Sequence, residues 1–442
     1  MNYKLAQSNY RHLVVGADTK IPLKNGKYAS AINFDNAAST PPFVSVMEEI
    51  NNFSTMYSSI HRGTGYKSKL SSQLFEEARS IVLKFVNADP HHDTVIFVKN
   101  TTEAINKLSY RLWKGNKKRV ILSSWMEHHS NDLPWRNKFQ VDYVETNLNG
   151  KLSLENLEHK LNFHKGNVEL VTVTGASNVT GYVNPIHKIA ELAHRYKAKI
   201  LVDGAQLVPH HAVNMKPNNP LQHIDYLAFS AHKMYAPFGT GVLIGPQDTF
   251  KQGISEFVGG GTAETVTHDW VVWENAPHKE EAGTPNVMGV VALVAAIKTL
   301  TAIGMRNIDN YENELTNYAN LKLKSIPGIT LYSHTVQGEP RIGVVPFNIK
   351  GIAHQQVAAI LSDEAGIAVR TGCFCTQPYI QQLLSISPKQ MVFYKKSGDA
   401  PRPGVVRLSF GIYNDFSEIN VLTNLLERIV KHPTVYSKWN VI

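Results

Sequence analysis

From about residue 95 to 245, short β-rich runs alternate with amphipathic segments. The runs are "TVIFV", "RVILSS", "VELVTVT", "AKILVDG", "DYLAFS" and "GVLIG". That rhythm predicts βαβ units and a mainly parallel sheet. Between two of the runs, "PIHKIAELAHRYKA" (185–198) places Ile186, Ile189, Ala190 and Leu192 with Ala193 on one face, which predicts a surface helix covering the sheet. Ligands of such sheets gather beyond the carboxyl ends of the strands. After "GVVALVAAIKTLTAIGM", read as a long buried helix, the texture changes to shorter mixed units. The strands "ITLYS", "RIGVVPFNI" and "VVRLSFGIY" follow. The expected fold is α/β, with a large domain over 33–300 and a small α+β domain over 301–442 joined by the arm 1–32.

Length supports two domains, because 442 residues exceed the roughly 250–300 at which one core stops growing. Hydrophobic residues at 43% and charged residues at 18% are ordinary for a chain that folds throughout. The N-terminus has no apolar run of signal-peptide length, and "VMGVVALVAAI" is cut off by Lys298. The expectation is a protein neither exported nor membrane-spanning. Two cysteines cannot build a disulfide framework, so a reducing cytoplasm fits best. The net charge of +9 is spread along the chain, and the cationic runs are as short as "NKKR" at 116–119. That favours a basic surface and an anionic small-molecule site over nucleic acid.

The chemistry collects at predicted strand ends. In "DYLAFSAHKMYAPFGTGVLIG" a strand runs straight into Ser230, His232 and Lys233. Serine and histidine there suit a phosphate, and a confined lysine can have its pKa lowered enough to form a Schiff base. A lone lysine past a strand would more simply be solvated. "LVDGAQ" ends a strand on Asp203, either a cap for the next element or the partner of a ring nitrogen. "FVKNTTEAIN" sets Thr101 and Thr102 at a strand-to-helix junction, as phosphate donors or plain N-caps. Arg407 stands in the alternating "GVVRLSFGIYND", as an edge-strand charge or as a bidentate clamp for a carboxylate.

The order of Thr-Thr-Glu, "EHHSNDLPW", "ASNVTG", "DGAQ", "SAHK" and "EAGTPN" resembles the class V pyridoxal-phosphate enzymes, in the cysteine desulfurase and selenocysteine lyase branch. The resemblance spans roughly residues 33–415 and implies the type I fold of pyridoxal-phosphate-dependent transferases. It also implies pyridoxal 5'-phosphate as cofactor, attached to Lys233, with Asp203 on the pyridine nitrogen and His128 stacked on the ring. Gln206 and Asn178 would flank the ring hydroxyl. Thr102, Ser230 and His232, with Thr101 beside them, would hold the phosphate, joined by Thr284 of a second subunit in a homodimer. Arg407 would grip the substrate carboxylate, with Asn178 as a second substrate-binding residue. Without the family pattern, His128 reads as a turn histidine beside His129.

The same resemblance implies that L-cysteine loses its sulfur to Cys375 as a persulfide, leaving alanine, with a protein sulfur acceptor as a candidate partner. The loop "RTGCFC" puts Cys373 where many desulfurases carry histidine, and its Gly-Cys-Phe-Cys form is similar to the desulfurase-like domain of molybdenum-cofactor sulfurases. The stretch from Cys375 to Arg407 is also longer than in compact desulfurases, as a lid would be. If the segment is extended, Cys373 and Cys375 face one pocket. That permits sulfur hand-off, a redox lock, or metal binding if His354 approached, although two cysteines make a poor zinc site. The rival readings are a class V aminotransferase, epimerase or lyase on another amino acid, and a non-catalytic scaffold that keeps the fold.

Overall fold

The computed structural model describes residues 8–115, 118–147, 149–251, 253–333, 339–397, 402–437 and 439. Part of the "NKKR" run therefore lies outside the described residues. The large sheet is built from β1 (Asp93–Val98), β2 (Val120–Ser124), β3 (Gln140–Val144), β4 (Val168–Thr174), β5 (Lys199–Asp203), β6 (Tyr226–Ser230) and β7 (Gly241–Pro246). Its seven strands run in the order β1-β7-β6-β5-β4-β2-β3. Pairs from β6 through to β3 are parallel, and β7 is antiparallel to both neighbours. The six apolar runs are six of these strands. β3 escaped notice because it is an edge strand whose residues are mostly half-buried, so it never forms a continuous apolar run.

Successive strand residues supply opposite faces of the sheet. Ile96 and Val98 pack with Ala104, Ile105 and Leu108 of the helix Thr101–Leu112. Val95 and Phe97 face the other way, into a core shared with Val82, Ile189 and Ala292. The predicted helix over 185–198 spans Ile186–Arg195, with Ile186, Ile189, Ala190 and Ala193 buried and Leu192 half-buried against the same core. Val287–Ile303 is apolar nearly all round and correspondingly enclosed. Among the described residues no single helix is long and apolar enough to cross a membrane.

A second core forms on an antiparallel sheet of β8 (Ile329–Leu331), β9 (Val344–Ile349), β10 (Arg370–Gly372) and β11 (Val405–Ser409), in the order β8-β9-β11-β10. Leu315, Ile360, Ile419 and Leu422 from three helices close over Phe347 and Leu408. The two cores interlock along the chain. Ile32 and Phe34 belong to the small core, whereas Val14 and Ala17 of the N-terminal arm, and Ile342 and Val405 from the C-terminal part, belong to the large one. Ile32 pairs in parallel with Ile367, and Phe34 reaches β11, where Ser409 N donates to Phe34 O at 2.7 Å.

One glycine sets the position of the site. Gly241 begins β7 directly under the start of the Thr101 helix, where a Cβ would stand 2.6 Å from Asn100 Cα. Gly241→Ala should therefore push that helix terminus outward and cost about 1–3 kcal/mol of stability. Gly260→Ala, with nothing within 4 Å of its Cβ, should leave the chemical denaturation midpoint nearly unchanged.

Candidate active site

Five strand ends of the large sheet and one loop of the small domain enclose a cavity of about 600 Å³. β1 delivers Thr101 and Thr102; β2, His128; β4, Asn178; β5, Asp203 and Gln206; β6, Ser230, His232 and Lys233. Arg407 and residues 370–375 line the opposite wall. Eleven of the twelve residues singled out from the sequence thus share one cavity. Thr284 does not: it is exposed and lies away from its own chain's cavity.

At one end, hydroxyls pair with one another and leave donors to spare. Thr101 N donates to Ser230 Oγ at 2.8 Å and the two hydroxyls lie 2.6 Å apart, as do those of Thr102 and Ser130. Neither threonine is the N-cap; Asn100 is, its Oδ1 accepting Glu103 N at 3.0 Å. The threonines, paired with serines, line the cavity at a helix N-terminus, where an anion is favoured. Ser130, which the sequence reading passed over, joins both Thr102 and His128, and its only signal was the "HHSN" turn.

In the middle, Asp203 is buried, with Oδ1 accepting Ala205 N at 3.0 Å. Burial raises its pKa, while the Ala205 hydrogen bond and Lys233 act the other way. Lys233 is pushed down to about 8, first by burial and then by Arg407, against the opposing pull of Asp203 and Cys375. An amine with that pKa is about one-tenth unprotonated at pH 7 and about half unprotonated at pH 8, far more than an ordinary lysine, and in that form can condense with a carbonyl or take a proton. Gln206 donates Nε2 to Ala37 O at 2.7 Å, and its Oε1 is buried with no partner. His128 Nδ1 accepts Ser130 N at 3.1 Å, which puts the ring proton on Nε2. Burial, Lys233 and its neighbour His129 lower its pKa to about 3, so the ring is neutral. His232 is likewise lowered to about 4 by burial and Lys233.

Arg407 is no edge-strand charge. β11 lies between β9 and β10, and the residue is 2% exposed. Its Nη2 donates to Asp35 Oδ1 at 3.1 Å, its Nη1 to Asn178 O at 3.0 Å, and Phe374 lies 4.7 Å from the guanidinium. Nε has no partner, and burial lowers the pKa to about 10. The cation persists at neutral pH with N–H groups still to offer. Asp35, in "FDNAAST", also pairs with Arg370 at 2.9 Å. Nothing in its local sequence flagged it, since its partners lie more than 300 residues away.

The cysteine loop corrects two expectations, an extended segment and an approach of His354. Cys373–Cys375 is not extended: Thr376 N donates to Cys373 O at 2.8 Å, and Phe374 and Cys375 have φ of 51° and 54°. Positive φ at both central residues is the signature of a type I′ turn, and in non-glycine residues costs on the order of 1–3 kcal/mol each. Asn178 spends its amide on this loop, with Nδ2 donating to Phe374 O at 2.9 Å and Oδ1 accepting Thr376 Oγ1 at 3.0 Å. Its side chain thereby braces the loop while lining the cavity. His354, raised as a metal partner for the thiols, instead faces Arg402 O at 3.1 Å. Both thiols line the cavity all the same, Cys375 exposed and Cys373 half-buried. The long stretch after the loop forms helices Gln377–Leu383 and Pro388–Lys396.

A strand-end cavity with a lysine of lowered pKa, a buried aspartate, hydroxyls at a helix N-terminus and a clamped arginine defines an amino-acid-processing enzyme of the large α/β transferase type. The chain belongs to the class V aminotransferase family, which matches residues 32–422. Members of this family are pyridoxal-phosphate enzymes. The chain is 33% identical over 408 residues to a probable cysteine desulfurase of Synechocystis, covering 90% of this chain and 91% of the relative. It is 34% identical over 406 residues to a cysteine desulfurase of Escherichia coli O8, covering 89% and 92%. Its fold matches the apo cysteine desulfurase of Thermococcus onnurineus with a TM-score of 0.80 at 30% identity, over 91% of this chain and 95% of that one. The cysteine desulfurase CsdA of Escherichia coli gives a TM-score of 0.76 at 26% identity, with the same coverage.

The electrostatics of Lys233 are testable in the protein without ligand. Its labelling rate by an amine-directed acylating reagent, followed against pH by peptide mass spectrometry, should show half-titration near 8. Asp203 raises the Lys233 pKa, so Asp203→Asn should move that midpoint to lower pH, whereas removing the Arg407 charge should move it up.

Proposed function

We propose that the protein is a pyridoxal-phosphate-dependent cysteine desulfurase that moves sulfur from L-cysteine onto Cys375 and releases alanine. The observation that carries this reading is the exposed Cys375 thiol on the wall of the same cavity as Lys233 and Arg407. A lysine and an aspartate alone would serve many amino-acid transformations; a nucleophilic sulfur beside them suits removal of sulfur.

The residues fit the cofactor. Buried Asp203 needs a cationic partner, which a pyridinium supplies. The orphaned Gln206 Oε1 could accept a hydroxyl, the neutral His128 ring suits an aromatic ring, and Thr101, Thr102, Ser230 and His232 would hold the phosphate. Bound there, pyridoxal phosphate supplies an electron sink that stabilises negative charge at the substrate Cα and loosens the bond from Cβ to sulfur.

The chain's own groups do the rest. Arg407 fixes the substrate carboxylate through the N–H groups its internal partners leave free. Lys233, unprotonated in useful proportion near pH 8, takes and returns the Cα proton. The Cys375 thiolate attacks the substrate sulfur, forming an S–S bond as the C–S bond breaks, and the carbon skeleton leaves as alanine. The sulfur is then open to an external thiol, a protein acceptor included. A second copy of the chain would add Thr284 to the phosphate end; its exposure away from its own cavity supports a homodimer.

Supplied with L-cysteine, the holoenzyme should release alanine. Cys375→Ala should lower that rate at least about a hundredfold while the cofactor absorbance stays in place. A Cys375→Ala protein that still makes alanine at near the wild-type rate, or a wild-type holoenzyme that makes none, would rule this reading out. Arg407→Lys, which loses the fork, should raise KM for cysteine about tenfold or more.

A further inference from the structure

The proposed transfer uses one of the chain's only two cysteines, and the other lines the same cavity. The turn brings them together more tightly than an extended strand would. Two extended residues span roughly 7 Å between Cα atoms; a left-handed residue at Phe374 shortens the reach between its neighbours into the ~4.4–6.8 Å window that a disulfide accepts. The backbone here is pinned from several directions. Cys375 O accepts His129 N at 2.7 Å, Phe374 O accepts Asn178 Nδ2, and Cys373 O accepts Thr376 N. The Phe374 ring is held against Arg407. What the loop leaves free are the two thiols.

We infer that Cys373 is a resolving thiol for the Cys375 persulfide, a step that rests on the desulfurase reading above. The Cys373 thiolate attacks Cys375 Sγ. The bond from Sγ to the terminal sulfur breaks, the terminal sulfur leaves with the electron pair and takes a proton as hydrosulfide, and a Cys373–Cys375 disulfide forms. The sulfane sulfur is reduced as the two thiols are oxidised, so no outside oxidant enters. A small-loop disulfide exposed at Cys375 is open to thiol exchange, and an external dithiol returns the enzyme to its starting state. When no acceptor takes the sulfur first, the protein releases one sulfide per subunit and then waits for reductant.

The test uses full-length holoenzyme in reductant-free buffer with one equivalent of L-cysteine per subunit, reading alanine, sulfide and intact mass. Wild-type protein should release about one sulfide per alanine and end about 2 Da lighter than its reduced form. Cys373→Ser should instead end about 32 Da heavier, with sulfide per alanine at least about tenfold lower. Wild-type protein that ends about 32 Da heavier with no sulfide released would overturn the inference, since the wild-type reading alone decides it. If neither protein makes alanine, the desulfurase reading fails and the resolving thiol with it.

Discussion

The structure turns on a cation held out of water. Arg407 sits mid-strand in the small sheet, directly opposite Arg370 on β10. Like charges facing each other across a ladder repel, and a buried guanidinium without partners costs several kcal/mol. Asp35 answers both difficulties by pairing with the two arginines at once. The other contacts of Arg407 reach the loop after β4 through Asn178 and the cysteine turn through Phe374. One side chain thereby ties together the segment after the N-terminal arm, the large sheet and the loop that bears the thiols. Removing Asp35 would leave two facing cations, so a carboxylate outside the cavity lining holds the substrate-binding arginine in place.

That cation also sets the electrical character of the cavity. Arg407 and Lys233 are charged groups beside a single fully buried carboxylate, Asp203. Burial and the Lys233 charge keep His128 and His232 neutral, so neither adds to the excess. Lys233 is itself eased toward the free amine by the same enclosure and by Arg407. A cavity so arranged favours anions at both ends, a phosphate beside the threonines and a carboxylate beside Arg407. The basic composition of the chain pointed toward an anionic ligand without saying where. The answer is local geometry, with the strand ends converging on one space.

What the sequence made legible follows from distance along the chain. Six strands could be read because they are buried on both faces and form nearly unbroken apolar runs; β3, mostly half-buried, could not. Asp203 and Ser230 stood out because each ends its strand, and Lys233 because it comes three residues past one. Asp35 left no trace because its partners, Arg370 and Arg407, are adjacent only after folding. Asn178 was visible as a polar residue in "ASNVTG", yet its attachment to Phe374 and Thr376 depends on the small domain lying over the large one. The two cysteines were read by alternation, a rule for strands, and failed because Gly372 ends β10 just before them. Beyond that point the backbone follows turn geometry.

That turn shows what the local rule was traded against. Glycine at 374 or 375 would relieve the strain of two adjacent left-handed residues. Glycine at 374 would uncover the face of the Arg407 guanidinium, and glycine at 375 would delete the exposed thiol. Hydrogen bonds to the loop carbonyls from Thr376 N, Asn178 Nδ2 and His129 N hold the conformation regardless. Strain kept in place by so many independent contacts belongs to a loop whose side chains matter more than its ease of folding. Phe374 faces inward to cover the cation, and Cys375 is left exposed beside the lysine that would prepare its substrate.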